Sequence, residues 1–243
     1  MTQASIGHHC PECLAGNNQQ VYTARDIRSS SRSNLIVALV AVNVAVFLAQ
    51  EGSNDRITVD GLLWGPAVAD GEWWRIITSA FLHGSLLHIG FNMFLLWQLG
   101  KPLLDGFGWA RFGLIYLTGL FGGSAAVLAF NWGAPTLGAS GAVLGLAGAL
   151  VAILWARGIG LNQTSLTPLI GLNLFLPLLV GGISFWGHFG GIAAGFAAGW
   201  LLSWLPIRMR ASASQATMAA GALCAALAVV ALVVGTSGGL ASL

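Results

Sequence analysis

Seven stretches of the chain, roughly residues 34–50, 80–104, 112–130, 138–156, 164–181, 184–205 and 216–236, are apolar over nearly the length a lipid bilayer demands. A spanning helix needs about 20 mostly apolar residues, because inside the bilayer every backbone N–H and C=O must find its partner within the segment. The rest of the sequence leaves little room for another reading. Charged residues make up 7% of the chain, hydrophobic residues 56%, and the mean hydropathy is +0.78. A soluble domain carries about 25% charged residues. The sequence therefore predicts an all-α polytopic membrane protein. Its 34 glycines suit a bundle whose helices approach closely. The net charge of +2 offers no footprint for nucleic acid, and no inverted half-to-half pattern of the transporter kind is present.

Lysine and arginine give the orientation. With seven spans, Arg25, Arg28, Arg32, Lys101, Arg111, Arg157, Arg208 and Arg210 fall on one side, and only Arg56 and Arg75 on the other. The amino terminus is expected in the cytoplasm and the carboxyl terminus outside. Residues 51–76 form a long first connection that mixes acidic residues with Trp64, Trp73 and Trp74, as a loop lying at headgroup level would. Residues 1–33 read as a polar cytoplasmic leader without a cleavable signal peptide. An odd count of three cysteines, one of them in an apolar run, argues against a disulfide framework. Cys10 and Cys13, just after His8 and His9, fit a zinc site, but one CxxC is a weak pattern beside the simpler reading of a flexible leader.

Polar residues inside apolar runs are functional candidates by default. HGSLLHIGFN at 83–92 carries His83, His88 and Asn92; GASG at 138–141 carries Ser140; GHFGG at 187–191 carries His188. Counted back from Asp105, Arg157 and Arg208 at about 1.5 Å per residue, His88 and Ser140 both lie about 26 Å above the inner ends of their helices, and His188 about 30 Å. Three polar side chains on three helices thus share a height in the outer part of the membrane. Gly187, Gly191, Gly195 and Gly199 recur every four residues, and His188 lies only about 20° from Gly195 on a helical wheel. Gly141, Gly145, Gly148, Ala149 and Ala152 line the fourth run. Two such faces bring backbones near contact, which would let Ser140 meet His188. Gly195 should accordingly tolerate no large side chain, whereas Gly235, at the end of the seventh run, should.

The chemistry follows. A serine hydroxyl needs a base to take its proton, and His188 is available. Asn92, His88 and the Ser140 backbone N–H offer donors for an oxyanion, and Gly138 and Gly141 permit a tight turn and close approach of a substrate. No membrane-depth Asp or Glu is available to orient the histidine, so a Ser–His dyad is expected. Singly, each residue has a plainer reading: a helix cap for His83 and His88, a small packing residue for Ser140, a polar helix contact for His188. Their coincidence favours catalysis. A transporter or channel would instead need charged residues through the core, and none is present beyond the histidines.

Taken together, Trp74-Arg75, His83, His88 and Asn92, Gly138 to Gly141, and His188 with Gly191 and Gly195 resemble the rhomboid family of intramembrane serine proteases from about residue 34 to 205. The resemblance implies a six-helix core, here with one extra transmembrane helix within 206–243. It also implies Ser140 as nucleophile, His188 as base, Asn92 and His88 at the oxyanion site, His83 as a support near the active-site water, and Trp74-Arg75 as organisers of the first loop. It implies single-span or other membrane-protein substrates in an inner or plasma membrane, an active site near the outer leaflet, and no cofactor. The alternative is a catalytically inactive rhomboid-like protein that binds membrane clients; such proteins typically lack the serine or the histidine, and both are present here. Members often have alanine where this chain has Gly187, an aromatic residue at Leu144 that stacks on the histidine, and a glutamate at Leu104. The leader resembles the truncated tail of a zinc-binding module.

Overall fold

The computed structural model describes residues 2–3, 8–9, 34–160, 162, 164–179 and 183–240. The chain divides into two units, Met1–Ser31 and Arg32–Leu243. In the first, β1 (Thr2–Gln3) and β2 (His8–His9) pair antiparallel, with Thr2 opposite His9. The expectation of a metal site at Cys10 and Cys13 lies outside the described residues.

The second unit is helical. In chain order come α1 (Asn34–Gly52), three short helices α2 (Arg56–Gly61), α3 (Gly65–Ala69) and α4 (Arg75–Thr78), a 3-10 turn (Ser79–Phe81), then α5 (Leu86–Phe130), α6 (Ser140–Ala156), α7 (Leu166–Leu179), α8 (Phe185–Met209) and α9 (Ala213–Thr236). α1, α5, α8 and α9 are long and apolar enough to cross a membrane, and the protein is a multi-pass membrane protein. α5 has 45 residues, about 67 Å at 1.5 Å per residue, more than twice the thickness of a hydrocarbon core. It bends at Gly108, whose φ of 78° no regular helix holds, into arms over 86–107 and 109–130. These arms correspond to the second and third apolar runs. The helices start where the sequence supplies caps. The Ser85 hydroxyl accepts from the His88 N–H, Ser184 from Gly187, and Ser212 forms a reciprocal capping box with Gln215.

The core lies between the arms of α5 and helices α6 and α8, filled by Leu96, Leu103, Phe112, Ile115, Val143 and Leu146. Along its seams, glycine sets the spacing. A Cβ at Gly191 or at Gly195 would fall on the Gly141 or Gly145 backbone across the gap, and one at Gly199 would come 2.6 Å from the Ala149 Cα. On the other side of α6, a Cβ at Gly145 would lie 2.7 Å from the Gly119 Cα in the second arm of α5. α6 is thus held between two helices by main-chain contact; the contact with α8 is the one that the small-residue faces predict.

One expectation is refined and one corrected. The first connection has structure of its own: it folds into α2, α3 and α4 around Arg75. That guanidinium is buried, pairs with Glu72, and donates to the Val59 carbonyl at 2.6 Å and the Leu62 carbonyl at 2.9 Å. The tryptophans lie on its outside, with Trp64, Trp73 and Trp74 all exposed. Gly235 is not a permissive position. The end of α9 packs on α3 and α5, where a Cβ at 235 would come 2.7 Å from Val68 Cγ1. The Gly235 carbonyl also accepts from Trp132 Nε1 at 2.8 Å. A terminal glycine in an apolar run shows none of this, because the partner is a short helix more than 160 residues away in sequence.

Candidate active site

Four backbone hydrogen bonds fix where α6 begins. Leu63 and Thr136 exchange both bonds of an antiparallel bridge, at 2.8 and 2.9 Å; the Gly65 N–H donates to the Trp132 carbonyl at 3.0 Å, and the Gly138 N–H to the Ser79 carbonyl at 2.9 Å. The segment between α5 and α6 is therefore stitched to the folded first connection. Gly138 sits at φ +129°, a conformation that side chains rarely adopt, and a Cβ there would lie 2.8 Å from the Cε1 of His88. Glycine at this position lets the His88 imidazole lie against the main chain just ahead of Ser140.

Ser140 is the first residue of α6. Its N-cap, Ala139, has no side chain able to take up the first-turn N–H groups, so these donors and the positive end of the helix dipole face the site. His188 is one turn into α8, its N–H donating to the Ser184 carbonyl at 3.2 Å. Its ring bridges two helices: Nε2 lies 3.0 Å from Ser140 Oγ, and Nδ1 lies 2.7 Å from the Asn173 carbonyl oxygen of α7. A carbonyl can only accept, so the hydrogen of the neutral ring sits on Nδ1 and the lone pair of Nε2 faces the serine hydroxyl. A hydroxyl with an oriented base within hydrogen-bond reach is what nucleophilic attack requires.

His88 and Asn92 share one face of α5. Asn92 is buried and donates through Nδ2 to the His88 carbonyl at 3.0 Å, which leaves the second amide hydrogen for a ligand. The Gly84 N–H donates to His88 Nδ1 at 3.4 Å, so the neutral ring carries its hydrogen on Nε2, the side toward Gly138. His88, Asn92, Gly138, Ser140, Gly141 and His188 all line one cavity of about 730 Å³. His83 lies outside that lining. It is buried and packs edge-on to His88 at 5.1 Å between ring centroids. The Gln50 side chain of α1 holds its backbone, accepting from the His83 N–H at 3.0 Å and donating to its carbonyl at 3.4 Å. Trp74 and Arg75 stand apart in the first connection, where Trp74 Nε1 donates to the Asp60 carbonyl at 3.3 Å.

Sequence reasoning missed Asn173. The contact uses its main chain, and the signal was the proline that follows four residues later, in NLFLP. Leu144, the leucine singled out in the sequence as a departure from the resembled pattern, is fully buried and lines the cavity. Among the described residues no Asp or Glu lines it.

A model of the Rhomboid domain matches residues 70–205. The rhomboid protease GluP of Bacillus subtilis (strain 168) is 32% identical over 185 residues, 72% of this chain and 36% of that protein. RHOMBOID-like protein 6, mitochondrial, of Arabidopsis thaliana is 37% identical over 135 residues, 53% of this chain and 43% of its own length. Rhomboid-like protease 1 of Toxoplasma gondii is 30% identical over 141 residues, 54% and 48% respectively. The chain spans less than half the length of each of these relatives.

Proposed function

The chain belongs to the rhomboid family, and on that premise we propose that it is an intramembrane serine endopeptidase, with Ser140 as nucleophile and His188 as general base. The observation that carries this reading is the 3.0 Å approach of His188 Nε2 to Ser140 Oγ inside the cavity. Oγ attacks the scissile carbonyl carbon while its proton passes to Nε2. The oxyanion that forms is met by the Ser140 N–H, the free amide hydrogen of Asn92 and the Nε2–H of His88. The imidazolium then gives its proton to the leaving amine. A water, deprotonated by the same nitrogen, attacks the acyl carbon, and Nε2 returns the proton to Oγ as the acyl–Oγ bond breaks. Gly138 and Gly141 leave the strip beside the serine free of side chains, so an extended substrate can reach it.

The substrates are membrane proteins whose spanning segment, or its edge, unwinds into the cavity. The arginine and lysine distribution supports a cytoplasmic amino terminus, an outer carboxyl terminus and a site near the outer leaflet of an inner or plasma membrane. His83, held by Gln50 against His88, supports the oxyanion residues from behind, and the Arg75 cluster with Trp74 keeps the first connection folded beside them.

Cleavage of a single-span substrate in liposomes tests the proposal. The wild type should cut, and Ser140→Ala and His188→Ala should fall to background while Ser140→Ala keeps its thermal unfolding. Wild-type protein that binds the substrate without cutting it would favour a client-binding role and overturn the enzyme reading.

A further inference from the structure

We infer that Pro177 frees the main-chain carbonyl of Asn173 to hold the Nδ1–H of His188, so that α7 supplies the group that orients the base. The inference rests on the reading of His188 as general base and names the partner that the dyad otherwise lacks.

In a regular helix the carbonyl of residue 173 would accept the N–H of residue 177. Residue 177 is proline, inside α7, and has no N–H to give. The acceptor that a continuous helix would consume is left over, and it is the oxygen found 2.7 Å from His188 Nδ1. A buried carbonyl without a partner is costly, and a buried imidazole without a fixed tautomer is a poor base. One contact resolves both. The Asn173 side chain does not compete for the ring: its Nδ2 donates to the Leu169 carbonyl at 2.9 Å, one turn back.

One side of α7 faces away from the cavity. Leu172, Phe175, Leu178 and Leu179 are exposed on the protein surface, whereas Asn173 is buried and lines the cavity. The inner side of α7, where Leu169 and Ile170 pack on the core and Leu176 also lines the cavity, thus delivers one main-chain oxygen to the His188 ring. When Nε2 takes the serine proton, the Nδ1–H already has an acceptor aligned, and the hydrogen bond becomes charge-assisted at the moment the ring becomes positive. Asn173 and Pro177 are positioning residues in this scheme, since neither touches the reacting atoms.

The test weakens that one acceptor. Replacing Leu174 by its α-hydroxy acid turns the carbonyl of Asn173 into an ester carbonyl, a poorer acceptor. The same replacement at Phe175 costs the helix an equivalent bond but leaves the Asn173 carbonyl an amide. Pro177→Ala returns a competing N–H. Cleavage kinetics in liposomes should show kcat falling about tenfold for the Leu174 ester with KM unchanged, a part of what a general base contributes. The Phe175 ester should stay close to wild type, and Pro177→Ala should lose kcat in the same sense. Nitrogen-15 spectra of histidine-labelled protein, with the His188 signal identified by its absence in His188→Ala, should show the Nδ1–H tautomer in the wild type and a mixture in the Leu174 ester. Equal kcat in the two esters, wild-type kcat in Pro177→Ala, or an Nε2–H tautomer in the wild type overturns the inference. The tautomer is read without substrate, so an inactive wild type with the Nδ1–H form would sink the protease reading and leave this contact standing.

Discussion

α8 meets its two neighbours in opposite ways. Against α6 it presents glycines, and the two backbones touch with no side chain between them, from Gly191 on Gly141 down to Gly199 on Ala149. Against α7 it presents the ring of His188, which reaches a single main-chain oxygen, while Leu172, Phe175, Leu178 and Leu179 of α7 face outward. On the proposed reading of His188 as general base, the contrast separates two requirements. Distance to Ser140 is set by the glycine seam, where nothing can rotate and the separation is a property of two main chains. Direction of the ring is set by the contact with α7, where one hydrogen bond is enough. A seam of leucines would supply more apolar burial but would leave that distance to rotamers.

Gly195→Leu attacks the seam directly and should have the largest effect. The added side chain meets the Gly145 backbone, which cannot turn aside, so the cost should reach or exceed the upper end of the ~1–3 kcal/mol usual for overpacking. Cleavage should vanish and the melting temperature should fall by about 6–12 °C. Full activity and stability would show that α6 and α8 do not touch there. Gly235→Leu is the comparison outside the site. It strains the packing of α9 on Val68 and Leu128 by about 1–3 kcal/mol, and scanning calorimetry should register it while turnover per folded molecule changes little. Gly187→Ala probes the start of α8 away from the seam, where a Cβ would sit 3.3 Å from Ser184 Oγ and 3.4 Å from Val127 Cγ2 of α5. Alanine gains about 0.5–1 kcal/mol in helix propensity, so stability should stay within error, and a collapse of the fold would mean that α8 is as tight against α5 there as it is against α6 along the seam. The smallest effect belongs to Leu178→Ala on the outer face of α7, within about 0.5 kcal/mol; a shift as large as that of Gly235→Leu would mean that this face is covered.

The sequence made the seven apolar runs legible because each carries its own backbone hydrogen bonds and needs no partner to be recognised. Ser140, His188, His88 and Asn92 stood out for a related reason: polar atoms in such runs are costly and therefore conspicuous. The glycine spacing even pointed to which helices meet. What stayed hidden depends on the main chain or on long separation in sequence. The oxygen of Asn173 has no signature of its own, and only the absence of an N–H at Pro177 hints that it is available. The Arg75 cluster satisfies carbonyls of Val59 and Leu62, so a stretch that reads as a polar connection acquires a small core. The contact of α9 with α3 needed the third dimension altogether.

The Gln50 side chain treats the backbone of His83 as a neighbouring strand would. Its carboxamide offers one acceptor and one donor to one residue's N–H and C=O, at 3.0 and 3.4 Å, and so acts as a detached peptide unit at the end of α1. A mimic of that kind works only at one reach. Asparagine has the same terminal group but is one methylene shorter and would leave the turn unclasped. The first helix, which otherwise buries little of its surface, therefore carries a length code that is read 33 residues further along the chain, at the histidine that backs His88. Substitution along its outward face can be free, while a change of one carbon at position 50 should be felt in the cavity.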